Sequence, residues 1–240
     1  MSANSECRIC HNQLNNKSFF IREMHIGTRE EFEYIECGNC GCLQIRSYPQ
    51  DPGKYYPDDY GAHNVISSGR PHKFIAWLRE RKLKHVLNEK KNLTGFLLNL
   101  IIKPGFEQKM LPSGVKSVSS VLDVGSGAGS LILNLRNKGF KNITGTDIFI
   151  KNDLFYDDCL RIYKKELSEI EGEFDFIMLN HSFEHMPDQD EIFKHLYRLI
   201  KPHKMVMIRI PVKTDYIWNL YGVNWGQIDA PRHFYLHTLK

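Results

Sequence analysis

The chain has 240 residues, is 42% hydrophobic and 25% charged, and carries a net charge of +4. That composition is ordinary for a globular protein and excludes disordered, collagen-like and disulfide-scaffold classes. The polar start, "MSANSECRIC", has no signal core, and the most apolar run, "LTGFLLNLII" (93–102), is too short to span a bilayer. These features read as a cytoplasmic protein without a membrane span.

The first 48 residues hold two C-x-x-C pairs, Cys7/Cys10 and Cys37/Cys40, with 26 residues between them. Two chelating knuckles joined by a hairpin-sized insert suit a tetrahedral thiolate zinc site. Four protein thiolates leave no open position, so the zinc reading is structural; a disulfide or redox pair is the weaker reading. Between the knuckles, "SFFIRE" and "EFEYIE" read as two strands of a ribbon. Residues 1–48 carry five Lys/Arg against six Asp/Glu, which argues against nucleic-acid binding.

A Pro-, Gly-, Asp- and Tyr-rich connector follows over 47–64, with Tyr55, Tyr56 and Tyr60 as candidate lid residues over a substrate. Helices are predicted over 72–91 and 93–103. Residues 49–118 carry twelve Lys/Arg against six Asp/Glu, most of the excess lying in 70–91. A basic helix can meet phosphates or anionic lipid, although a solvated face is the commoner outcome.

From 119 onward strand and helix patterns alternate: strands at 120–124, 141–149, 158–166, 173–180 and 204–210, helices at 129–139 and 188–200. This alternation predicts a doubly wound parallel sheet, with ligands bound beyond the carboxyl ends of the strands. The first turn, "VLDVGSGAGS" (121–130), follows a strand and opens a helix. It is neither G-x-G-x-x-G, because the sixth position is Ser130, nor a Walker loop, because no G-K-[ST] follows. Asp123 before the glycines disfavours an anionic ligand. Asp147, 24 residues later at the end of the second strand, can accept both hydroxyls of a ribose. S-adenosylmethionine, a sulfonium with an ammonium and a ribose, satisfies both carboxylates.

With "VLDVGSGAG", "GTD" and "FDFIMLNHSFEHMPD", residues 115–212 resemble the class I S-adenosylmethionine-dependent methyltransferases. The resemblance implies a Rossmann-like sheet in which Asp123, Gly125, Ser126, Gly127 and Gly129 hold the methionine part. Asp147 and Ile148 would then hold the ribose, Glu166 would meet the adenine, and Asn180 would line the site. "CRIC…CGNCGCLQIRSYP…YYPDDY" and "WGQIDAPRHFYLHT" (225–238) resemble a narrower, zinc-ribbon subgroup that includes sugar C-methyltransferases. That likeness implies a small polar acceptor, a sugar or nucleotide-linked sugar of glycan or natural-product biosynthesis.

Methyl transfer needs a positioned acceptor and often a base. His181, Glu184 and His185 follow the fourth strand, and the Glu184–His185 pair is the primary candidate, with His185 as base and Glu184 positioning. His233 is a rival base, and Trp225 and Arg232 are candidate acceptor contacts. Alternatives are an RNA methyltransferase and a non-catalytic S-adenosylmethionine-binding module. The expected organisation is a zinc ribbon over 1–48, connector and helices over 49–114, and a methyltransferase domain over 115–240. The last of these is expected to be C-terminally truncated, lacking two closing strands.

Overall fold

In the computed structural model, which describes residues 6–56 and 69–240, the chain forms two compact units. The first takes the described residues up to Tyr56, with Phe183–Asp188 and Ile210–Lys240; the second takes those from Gly69 to Ser182, with Gln189–Arg209.

The first unit is built on a four-stranded sheet. Strands β1 (Lys17–Arg22) and β2 (Glu31–Glu36) are the predicted ribbon, paired antiparallel with Ile21 opposite Phe32. The loop between them closes on Glu23, whose carboxylate accepts the amides of His25, Ile26, Gly27 and Thr28 at 2.5–2.8 Å. Burial alone would raise that carboxyl; the four amides instead hold it down at about 2. Strand β3 (Leu43–Ile45) continues the sheet, and a strand from the far end of the chain, β10 (Tyr235–Leu236), pairs with it antiparallel. Tyr34, Leu43, Ile45, Ile228, Tyr235 and Leu236 form the core, each at most 1% exposed.

The expected division at 48 and 114 therefore differs from the observed one. Apolar residues of "QIDAPRHFYL" fill the ribbon's core, and the Tyr34 hydroxyl donates to the His233 carbonyl at 2.8 Å across 199 residues of chain. Helix α5 (Asp215–Tyr221) belongs to this unit too. Residues 210–240 thus complete the ribbon, while the predicted linker helices belong with the large sheet.

Those helices are α1 (Lys73–Val86) and α2 (Leu93–Ile101), each ending short of the predicted 91 and 103. The large sheet has the order β6-β7-β5-β4-β8-β9. Its strands are β4 (Val121–Val124), β5 (Ile143–Thr146), β6 (Leu154–Asp157), β7 (Leu160–Tyr163), β8 (Phe174–Asn180) and β9 (Ile200–Arg209). Five run parallel, as the alternation predicts; β6 is an added antiparallel edge, hairpinned onto β7. Helix α3 (Ser130–Lys138) joins β4 to β5, and α4 (Gln189–Leu199) joins β8 to β9. Strand β9 starts four residues earlier than predicted and carries Pro202, which its edge position tolerates.

Strand β4 is central and buried on both faces, which explains its unbroken apolar run apart from Asp123. The chain leaves β4 toward β5 and returns on its other side as β8. The strand order therefore reverses between β4 and β8, where open α/β sheets bind ligands.

Candidate functional site

The glycine loop sits at that reversal. Gly125, Gly127 and Gly129 have φ of +73°, +55° and +89°, a region costly for any residue with a Cβ. At Gly125 a Cβ would stand 2.4 Å from the Cβ of Ser182, whose hydroxyl donates to the Val124 carbonyl at 2.6 Å. Backbone from the ends of β4 and β8 is thereby brought into direct contact. Ser182 carries no spacing signal in the sequence and was not foreseen.

The loop's amides face inward. Gly125 and Ser126 both donate to the Thr146 carbonyl (2.8 and 3.1 Å), Gly129 to Ser126 (3.0 Å) and Gly127 to the Asp147 carboxylate (2.9 Å). A phosphate cradle needs amides pointing at the ligand, and these four bond within the protein instead. Tyr156, also unforeseen, braces the loop through its hydroxyl to the Ala128 carbonyl at 2.7 Å.

Asp147 ends β5 half-buried, its other oxygen accepting the Phe149 amide at 2.8 Å, and Ile148 beside it is half exposed. Asp123 is buried within β4. Burial, and after it the Asp147 charge, pushes the Asp123 carboxyl up to about 8. Asp123 is expected as a carboxylate facing the ligand; in the structure it lies in the buried central strand, where it favours the protonated form more than a free carboxyl does. Glu166 is exposed and caps a short turn, its side chain and that of Glu169 exchanging bonds with each other's backbone. Asn180 accepts from Arg209 at 2.9 Å. His181, at φ +56°, donates its amide to the Arg209 carbonyl, and burial, then Arg209, lowers its pKa. Asn180 and His181 both belong to the large-sheet unit.

The other predicted catalytic residues gather in the ribbon unit. One ligand atom each from Glu184, His185 and His233 lies within 4.8 Å of the others. His185 Nδ1 is 2.8 Å from the Arg232 carbonyl and His233 Nδ1 is 2.8 Å from the Gln227 carbonyl. A carbonyl only accepts, so both Nδ1 atoms carry the proton and both Nε2 atoms keep a lone pair. His233 Nε2 stands 3.9 Å from Glu184 and 3.7 Å from Asp229. Glu184 and His233 are buried, whereas His185 keeps some exposure. Burial, then Asp229, pushes the Glu184 carboxyl up to about 7; burial, then His233, pushes His185 down to about 3. Tyr56 reaches the cluster, its hydroxyl 3.2 Å from His185 Nδ1. Tyr55, by contrast with its lid reading, is 4% exposed and donates its hydroxyl to Glu30 at 2.7 Å, and Tyr60 lies outside the described residues.

Arg232 is 3% exposed and paired with Asp229 at 2.5 Å, so its guanidinium holds the segment that carries His233 instead of standing open to an acceptor. Trp225 packs against the ribbon core.

At the knuckles the four cysteines are unpaired as disulfides and their sulfurs lie within 4.8 Å of one another. Cys7 and Cys40 Sγ are 3.8 Å apart and Cys10 and Cys37 Sγ 3.5 Å, close to the ~3.8 Å edge of a tetrahedron with ~2.3 Å metal–sulfur bonds. The amides of Ile9 and Asn39 approach Cys7 and Cys37 Sγ at 3.4 Å. Among the described residues, no helix is long and apolar enough to cross a membrane.

Among curated proteins, the mitochondrial ubiquinone biosynthesis O-methyltransferase of Saccharomyces cerevisiae is 30% identical over 41% of this chain, which spans only 35% of that protein's length. Solved structures that resemble the chain include the magnesium protoporphyrin IX methyltransferase of Synechocystis PCC 6803 (16% identity, TM-score 0.43, 78% of this chain and 81% of that one). The 1,6-didemethyltoxoflavin-N1-methyltransferase of Burkholderia thailandensis is another (15% identity, TM-score 0.39, 74% and 72%). A methyltransferase-domain family model matches residues 70–240, well over half of the chain. The chain therefore belongs to the methyltransferase-domain family.

Proposed function

We propose that the chain is an S-adenosylmethionine-dependent methyltransferase acting on a small polar acceptor, a sugar or nucleotide-linked sugar. The observation that carries the cofactor is the glycine loop at the strand reversal. The amides of Gly125, Ser126, Gly127 and Gly129 bond within the protein, and the loop stands beside Asp147 at the end of β5. Asp147 holds the loop through Gly127, and its carboxylate is the group placed to meet the ribose. When bound, the cofactor supplies the methyl group as a sulfonium electrophile.

The acceptor class is supported by the ribbon unit. The two stretches that resemble the sugar-methylating subgroup, the cysteine ribbon and "WGQIDAPRHFYLHT", form one sheet and one core. The four knuckle sulfurs support a structural zinc in that unit. The relative from Saccharomyces cerevisiae is an O-methyltransferase of ubiquinone biosynthesis, but so little of it is covered that its acceptor does not carry over.

His185 is the member of the cluster with exposed surface, so it is the one an acceptor can touch. Held neutral with Nδ1–H on the Arg232 carbonyl, its Nε2 takes the acceptor's proton. Glu184, once ionised, stabilises the resulting imidazolium. A second reading rests on the same convergence: one oxygen and two imidazole nitrogens can hold a divalent cation.

The test incubates intact protein with labelled S-adenosylmethionine and separate pools of nucleotide-linked sugars, phenols and RNA. Label in the sugar pool, lost in His185→Ala, is expected. Label only in RNA or phenols would overturn the acceptor class, and cofactor binding with no transfer would indicate a binding module. Metal analysis should find one zinc, lost in Cys10→Ser. A second ion lost in His233→Ala would favour the cation reading.

A further inference from the structure

The helical hairpin of α1 and α2 is inside out. In α2 the apolar positions Leu93, Phe96, Leu97, Leu100 and Ile101 follow the i, i+3, i+4, i+7, i+8 spacing of one helix face. Such a stripe ordinarily packs inward. Here it faces solvent, with Leu93 73%, Leu100 67% and Ile101 80% exposed. The buried position is instead Gly95. A Cβ there would meet the Arg81 carbonyl and His85 Cβ at 2.6 Å, so the glycine is what lets α2 lie close on α1. Asn92 fixes the arrangement, capping the Gly95 amide at 2.6 Å and donating to the Arg81 carbonyl at 3.1 Å.

Helix α1 adds Phe74, Ile75 and Trp77, all exposed, with Phe74 stacked on Trp77 and the Arg81 guanidinium over the indole at 4.9 Å. Among the described residues, none covers this apolar face. Around it the charge is one-sided. Residues 70–103 hold nine Lys/Arg against two Glu, and Arg70, Lys73, Arg79, Arg81, Lys90, Lys91 and Lys103 are exposed. Lys90 and Lys91 precede α2 and Lys103 follows it, so cations bracket the apolar helix at both ends.

We propose that this hairpin docks the protein on an anionic lipid bilayer, with α2 lying in the interface. Nine helical residues span ~13.5 Å, far less than the ~30 Å hydrocarbon thickness, so the helix lies on the membrane and does not cross it. An apolar face with a cationic surround and an exposed tryptophan has the chemistry of an interfacial helix. A second copy of the chain is the poorer occupant, because face-to-face pairing would set two such cationic rims against each other. The inference does not depend on the identity of the methyl acceptor.

The experiment is flotation of the intact, zinc-loaded chain with vesicles of phosphatidylcholine alone and of phosphatidylcholine with about a quarter phosphatidylglycerol. Binding to the anionic vesicles only is expected, falling steeply when salt rises from ~0.1 to ~1 M and the screening length shrinks from ~10 to ~3 Å. Leu100→Glu with Ile101→Glu, both at exposed positions, should abolish it. Lys90→Gln with Lys91→Gln should weaken it ~10–30-fold, at ~1 kcal/mol per cation near the surface. Unchanged melting temperatures check that both variants fold. No binding to anionic vesicles at low salt, equal binding to neutral ones, or variants that bind like the parent would overturn the proposal. So would sedimentation showing a dimer that the Leu100/Ile101 variant dissociates.

Discussion

Gly125→Ala probes the contact on which the loop's position depends. At φ +73° an alanine costs about 1–2 kcal/mol in backbone strain. Its Cβ would also sit 2.4 Å from the Cβ of Ser182, which cannot swing away because it is fixed to the backbone. Overpacking of this kind costs about 1–3 kcal/mol. The two terms together give about 2–5 kcal/mol. A domain of this size loses roughly 2–4 °C per kcal/mol, so the melting temperature should fall by about 5–15 °C. Calorimetric titration with S-adenosylmethionine should show binding weakened in parallel, because the loop must shift. A second substitution separates the terms. In Ser182→Gly the nearest remaining atom is Cα, at 3.7 Å, so the steric part disappears while the strain at φ +73° stays. Ser182→Gly alone costs about 1 kcal/mol through the lost hydroxyl bond to Val124. The double variant should therefore be more stable than the sum of the singles by about 1–3 kcal/mol. A fully stable Gly125→Ala, or a double variant with simple additivity, would refute the placement of the loop against Ser182.

Asp123, pushed up to about 8 when folded, keeps a proton that the unfolded chain releases near pH 4. The folded state thus binds more protons between these values, and stability should fall by a few kcal/mol as pH rises from 4 to 8; Asp123→Asn should flatten the profile in denaturant titrations. Glu23 behaves oppositely. Held at about 2, it adds stability at neutral pH, of the order of 2 kcal/mol, that is lost as pH falls from about 4.5 toward 2. Glu23→Gln should remove this acid-sensitive part, seen as a lower urea midpoint at pH 7 and a smaller difference at pH 3. Glu184, at about 7, should place a rise in kcat/KM as pH passes through neutrality and its carboxyl ionises. In Glu184→Gln that inflection should vanish, with activity reduced by about 10²–10⁴-fold.

Much of the large sheet was legible because its central parallel strands, β4 and β8, are buried on both faces and so carry apolar runs, "VLDV" and "FDFIMLN". Strands β3 and β10 were not, being three and two residues long and stabilised by pairing across most of the chain. Strand β6 was hidden for a related reason: it is a four-residue, partly exposed hairpin edge. The catalytic candidates Glu184, His185 and His233 were legible as residue types, but their meeting in the ribbon unit was not. It depends on Tyr34 and the β3–β10 pairing, contacts between segments that local periodicity cannot relate. Arg232 was legible as a residue type suited to anion recognition, but its burial and its pairing with Asp229 were not. Asp147 was assigned to a ribose by position alone, and its bonds to the Gly127 and Phe149 amides became visible only in three dimensions.

The central claim is that the glycine loop and Asp147 hold S-adenosylmethionine. Isothermal titration of the intact chain with the cofactor, repeated with Asp147→Ala, tests it most directly. Saturable binding of one molecule per chain is predicted, with affinity lowered at least ~10-fold in the variant by loss of a charge-assisted contact and of the Gly127 anchor. No heat of binding to the folded parent protein, or equal affinity in Asp147→Ala, would contradict it.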